Sequence, residues 1–128
     1  MGHVTCVCFF ASGSRWAMEA RHVRRIDSAV TQPRYTTLEQ LLFSQPSHSS
    51  RWLTLHDAQG AWQLGITGDS EIIHLPSTAI HPLPPLLAAR APHPALCGVA
   101  LDEQPEQPFT LLLNGERLSP LQASTYQP

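Results

Sequence analysis

The chain has 128 residues, 42% of them hydrophobic and 14% charged, with a formal net charge of −2. That length suits one domain with its own core, and the apolar share excludes a disordered chain. The charge gives no accumulated positive field for nucleic acid, while the sparse surface charge leaves room for apolar contact with protein partners.

Val4 to Phe10 reads as a strand, rich in β-branched, aromatic and Cys residues and ended by the turn residues Ala11-Ser12-Gly13-Ser14. Cys6 and Cys8 are two apart and so share one strand face. Arg15 to Met18 returns as the second strand of a hairpin. Glu19 to Arg25 has helix-forming residues, with Val23 and Ile26 as apolar contacts, until Pro33 interrupts. Thr36 to Phe43 reads as a helix. Thr36 and Glu39 have capping-box spacing, and Leu38, Leu41 and Leu42 form an apolar stripe.

Ser44 to Ser50 is a loop. Trp52, Leu53 and Leu55 mark a strand, Asp57-Ala58-Gln59-Gly60 a turn, and Ala61 to Thr67 the returning strand, with Gly65 a point of close backbone approach. Glu71 to Leu75 is a strand with Ile72 and Ile73 as its apolar pair. A long proline-broken connection runs from Pro76 to Pro94. Ala95 to Leu101 is a strand containing Gly98, Asp102 to Pro108 an acidic turn, Phe109 to Leu113 a last strand, and Gly115 to Leu118 one helical turn. The tail to Pro128 is expected to fray. About seven or eight short strands with few helical residues predict a mainly β, mostly antiparallel barrel or sandwich.

All eight basic residues are Arg, five of them between Arg15 and Arg34. Arg suits bidentate carboxylate pairing at an interface, although a solvated face explains such a cluster as readily. The seven His are scattered, and no Cys-x-x-Cys or His-x-x-x-His spacing marks a metal site. No Gly-x-Ser-x-Gly elbow is present, and the absence of Lys excludes a Walker-type phosphate loop. No cofactor, metal or catalytic residue is expected. Three cysteines give no complete disulfide framework and fit a reducing cytoplasm. The Val4 to Ala11 run is too short for a signal peptide or membrane insertion.

The order of motifs resembles the CheW family of chemotaxis coupling proteins. Leu64-Gly65-Ile66, Asp69, Glu71-Ile72-Ile73-His74-Leu75-Pro76, Ala79-Ile80-His81-Pro82, Leu96-Cys97-Gly98-Val99, Leu101-Asp102 and Phe109 to Leu118 follow the pattern of that family's second half. Val4 to Phe10, Trp16 to Ala20, Val23-Arg24-Arg25-Ile26 and Leu38 to Leu42 resemble its first half. The chain departs between Ile26 and Leu38, where the family has a further strand pair and an Asn-Leu-Arg-Gly motif. It also departs at Arg25, which replaces a frequent acidic residue.

The resemblance implies two small SH3-like β-barrel subdomains with short helices in one CheW-like domain. Residues 1–50 would form a curtailed first subdomain, 51–118 the second, and 119–128 a tail. It further implies a non-enzymatic cytoplasmic adaptor that couples or modulates a chemoreceptor and a CheA-type histidine kinase, or binds another CheW-like protein. Val23 and Arg25 would be its partner-binding residues, and Gly65, Asp69 and Gly98 would hold the second barrel's shape. The missing strand pair would leave edges that a partner or self-association covers. The rival readings are an unrelated all-β interaction module and a metal-dependent or hydrolytic enzyme.

Overall fold

The computed structural model describes residues 2–11, 13–91, 93–101 and 109–120. The first hairpin pairs β1 (His3–Ala11) with β2 (Ser14–Glu19) across a turn that Gly13 permits at φ 79°. A 3₁₀ turn, Ala20–His22, leads to β3 (Arg25–Asp27). Then come β4 (Tyr35–Thr37) and α1 (Leu38–Phe43). The predicted second hairpin is present as β5 (Arg51–Asp57) and β6 (Gly60–Ile66), with Gly60 at φ 114°. The rest is β7 (Glu71–Pro76), a 3₁₀ turn Ser77–Ala79, β8 (Ile80–Pro82), α2 (Pro85–Ala89), β9 (Leu96–Leu101), β10 (Phe109–Leu113) and a 3₁₀ turn Gly115–Arg117.

These strands make two curled sheets, a six-stranded one in the order β7-β1-β2-β10-β9-β8 and a four-stranded one in the order β3-β5-β6-β4. The end strands of the larger sheet, β7 and β8, are joined by a single 3₁₀ turn, so that sheet curls back toward its own edge. Most pairs are antiparallel; β2 with β10 and β4 with β6 are parallel. The mainly β class is as predicted.

The sheets do not divide the chain at residue 50. The first hairpin joins β7 to β10, whereas β3 and β4 join the central hairpin. Burial explains the exchange. On β1, Cys6 and Cys8 enter a small core inside the larger sheet, while Val7, Phe9 and Ala11 enter the main core between the sheets. A strand buried on both faces reads as an unbroken apolar run, and Cys6 to Phe9 is one. On β6, Trp62, Gln63, Leu64, Gly65 and Ile66 are all buried, so this strand too is covered on both sides.

Four local expectations are corrected. The Glu19 to Arg25 helix is only the 3₁₀ turn, because Val23 and Ile26 serve strand geometry. The helix cap is Thr37, one residue later than predicted: its Oγ1 accepts the Gln40 N–H at 3.1 Å. Thr37 and Gln40 carry the capping-box spacing, and Glu39 is instead buried, accepting from Ser47 Oγ at 3.0 Å. The proline-broken connection contains a strand, β8, at the sheet edge where Pro82 costs no ladder bond. The apolar pair of β7 is split: Ile72 is exposed and only Ile73 packs on the small core. The acidic turn at 102–108 and the tail beyond 120 lie outside the described residues.

Where the resemblance predicts a missing strand pair, the chain uses side chains in place of a ladder. Gln63 Oε1 accepts from the backbone N–H of Thr31 at 2.6 Å and of Gln32 at 3.1 Å. The Gln63 N–H donates to Arg34 O at 3.0 Å, and β4 then runs parallel to β6. One buried amide on a central strand thus replaces part of a lost strand.

Candidate protein-interaction surface

The two residues expected to meet a partner lie on and beside an outer strand. β3 pairs with β5 on one side and, among the described residues, has no strand on the other. Arg25 is exposed, and its Nε donates to Asp27 Oδ1 at 2.9 Å. Val23 is half-buried against the main core, so it positions this strand more than it projects. Between them and Asp27 stands Ile26, 41% exposed, with Val30 also exposed beyond. Ile26 is thus exposed on an outer strand, whereas the sequence pattern assigns it to packing. The signal was its place in the Val-x-x-Ile segment.

The arginine cluster is mostly spent within the chain. Arg15 Nε donates to Cys8 Sγ at 2.9 Å, and its guanidinium lies 3.6 Å from Glu71. Arg21 pairs with Glu19, Arg25 with Asp27 and Arg34 with Asp57. Arg24 is exposed and makes no side-chain ion pair among the described residues. The cluster is therefore a set of internal clamps rather than one basic patch.

Gly65 and Gly98 sit where backbones meet. A Cβ at Gly65 would lie 2.7 Å from Ser49 Cβ and 2.8 Å from the Trp52 ring, so the glycine lets the 44–50 loop close on β6. A Cβ at Gly98 would lie 2.6 Å from His81 O, so this glycine lets β8 reach β9, with Pro82 as its register partner. Asp69 differs. It is exposed and 3.3 Å from Arg51, a surface pair that contributes little to the barrel. Sequence reasoning missed Gly115, against which the His22 ring packs: a Cβ there would lie 2.7 Å from His22 Cβ.

A second exposed apolar site lies on the larger sheet. Leu101 and Phe109 are cross-strand partners at the end of the β9–β10 ladder, 56% and 45% exposed. Adjacent apolar pairs of this kind mark contact surface more than a scattered residue does.

Other chemistry is structural. Burial raises the Cys6 thiol to about 11 and also raises Cys8, as expected of buried core thiols. Among the described residues, no group of three or more His, Cys, Asp or Glu is placed to hold a metal ion, and no helix is long and apolar enough to cross a membrane.

No family model matches the sequence, and no curated protein matches it. Solved structures do match. The scaffolding protein TtCheW from Thermoanaerobacter tengcongensis superposes with a TM-score of 0.69 at 12% identity, over 88% of this chain and 85% of that one. The fold is therefore CheW-like: two small curled subdomains of the SH3-like kind.

Proposed function

We propose that this chain is a chemosensory scaffold, a cytoplasmic adaptor that works through surface contacts and performs no catalysis. The observation that carries the proposal is the fold it shares with a scaffolding protein over most of both chains. The reading takes the chain as one domain of two interlocked subdomains, with one contact surface on each. The outer strand with Arg25 and Ile26 is the side for a chemoreceptor, and Val23 sets its position. The Leu101–Phe109 pair on the larger sheet is the side for a CheA-type histidine kinase or another CheW-like protein.

The test is a pull-down of the full chain against the cognate kinase and receptor tips, repeated with Ile26→Asp and Leu101→Asp. Ile26→Asp should lose only the receptor, and Leu101→Asp only the kinase. A folded protein that binds neither partner overturns the proposal.

A further inference from the structure

Small side chains make up most of the inner core of the six-stranded sheet. Cys6, Cys8, Ala17 and Ala100 are buried there, and Leu112 is the one large residue among the buried members of that cluster. A small barrel ordinarily fills its interior with bulkier side chains. Here Val4, Ile73, Leu75 and Ile80 pack around the small residues but are only partly buried. A cavity of about 420 Å³ lies at one end, its apolar floor formed by Val4, Cys6, Ala17, Ile80 and Leu112. That volume falls within the roughly 300–1,000 Å³ typical of small-molecule sites, and an apolar floor with a few polar groups at the mouth is their usual construction.

The mouth carries two carboxylates and one guanidinium, an excess of one negative charge. Glu19 and Glu116 both line it, with Arg21 and His22 between. The Arg21 guanidinium is committed to Glu19. His22 Nε2 lies 3.3 Å from Glu116 Oε1 and 3.8 Å from Glu19 Oε2, yet both ring nitrogens are buried without a hydrogen-bond partner. The Glu116 carboxylate, with its side chain 68% exposed, thus has no hydrogen-bonded cation among the described residues. With Glu19 paired to Arg21, an anion would be repelled by the Glu116 carboxylate and a cation attracted to it.

We propose that this cavity binds a small organic cation, its apolar body on the Cys6–Ala17–Leu112 floor and its ammonium head at Glu116. The inference is independent of the adaptor reading, because binding is measured with no protein partner present.

The experiment titrates isotope-labelled full-length protein with phenethylamine and, separately, with 3-phenylpropionate, following backbone amide signals and the alkylation rate of Cys97, which is exposed and lines the same cavity. The amine should shift the signals of Cys6, Ala17 and Leu112 and slow alkylation. It should bind roughly tenfold or more tightly than the acid, as expected for opposite unit charges about 4 Å from a carboxylate in water. Glu116→Gln, an exposed change that leaves the fold intact, should erase most of that preference. Ala17→Val, which fills the floor, should weaken both ligands. Equal binding of amine and acid, shifts scattered over the surface, or an unchanged preference in Glu116→Gln overturns the proposal.

Discussion

Arg34 and Asp57 form a two-pronged ion pair, Nη1 to Oδ2 at 2.9 Å and Nη2 to Oδ1 at 2.8 Å, across 23 residues of sequence. Arg34 Nη2 also donates to Gly60 O, and Asp57 accepts from Gln59 N–H and Ser119 Oγ. One pair thereby ties the segment before β4, the turn of the central hairpin and Ser119, which follows the last 3₁₀ turn. Arg34→Ala leaves a largely buried carboxylate without its main partner. It should lower the midpoint of urea unfolding. Arg34→Lys should recover only part, since a single ammonium cannot span both oxygens.

The same pair sets an acid limit. Hydrogen bonds from Arg34 hold the Asp57 carboxyl well below the usual carboxylate range. A folded-state value below the unfolded one gives stability that is present above the unfolded value, about 4, and lost as pH falls through the folded one. Thermal unfolding followed from pH 7 to pH 2 should show a falling midpoint below about pH 4. Asp57→Asn should start less stable and fall less steeply.

Gln63→Leu tests the side chain that stands in for a strand. It keeps the volume but leaves the Thr31 and Gln32 amides without their acceptor, at an expected cost of about 2–4 kcal/mol. Hydrogen exchange should speed at those two amides first. Uniform exchange across β6 instead would mean that the bonds do not pin the segment.

Gly98→Ala should strip β8 from β9, because the added carbon meets the His81 backbone, which has no side chain to move aside. Gly65→Ala meets mainly the Ser49 side chain and the Trp52 ring. Ser49→Gly should therefore rescue part of the Gly65→Ala loss, giving a coupling above about 0.5 kcal/mol in a double-mutant cycle. No second-site change of that size is expected to rescue Gly98→Ala.

Thiol reactivity should follow exposure. Cys97 is exposed, whereas Cys6 and Cys8 are buried. One equivalent should react quickly with a disulfide reagent at pH 8 and two only on unfolding. The raised Cys6 value also means that stability falls as pH rises from about 9 toward about 11, since the unfolded chain releases that proton first.

Much of this fold was legible in the residues. The Asp57 to Gly60 turn, the Val4 to Phe10 run and the shared face of Cys6 and Cys8 needed only local rules. The helix cap was one residue off because Thr36 and Thr37 are adjacent and either can cap. β8 was hidden by its prolines, which are permitted only because the strand lies at an edge. The Arg34–Asp57 pair was out of reach, since nothing local says that an Arg will meet an Asp two elements later. Of the candidate surface, Gly65 and Gly98 showed themselves as apolar-Gly-apolar runs. The cavity did not: its floor comes from β1, β2, β8 and β10, and only the closed sheet brings them together.

The placement of β10 has a consequence for the order of assembly. This strand follows all the other described strands in the chain, yet it lies between β2 and β9 in the middle of the six-stranded sheet. The four-stranded sheet needs only residues 25–66 for its ladders. The larger sheet must wait for Leu111 to Leu113, which pair in parallel with Trp16 to Met18. Until then β2 has a bare edge, and both faces of β1 lack part of their cover. Contacts so distant in sequence form slowly, so folding is expected in milliseconds to seconds rather than microseconds. A ribosome-bound chain that ends before Phe109 holds an aggregation-prone hairpin, and release of the last strand is the step that removes it.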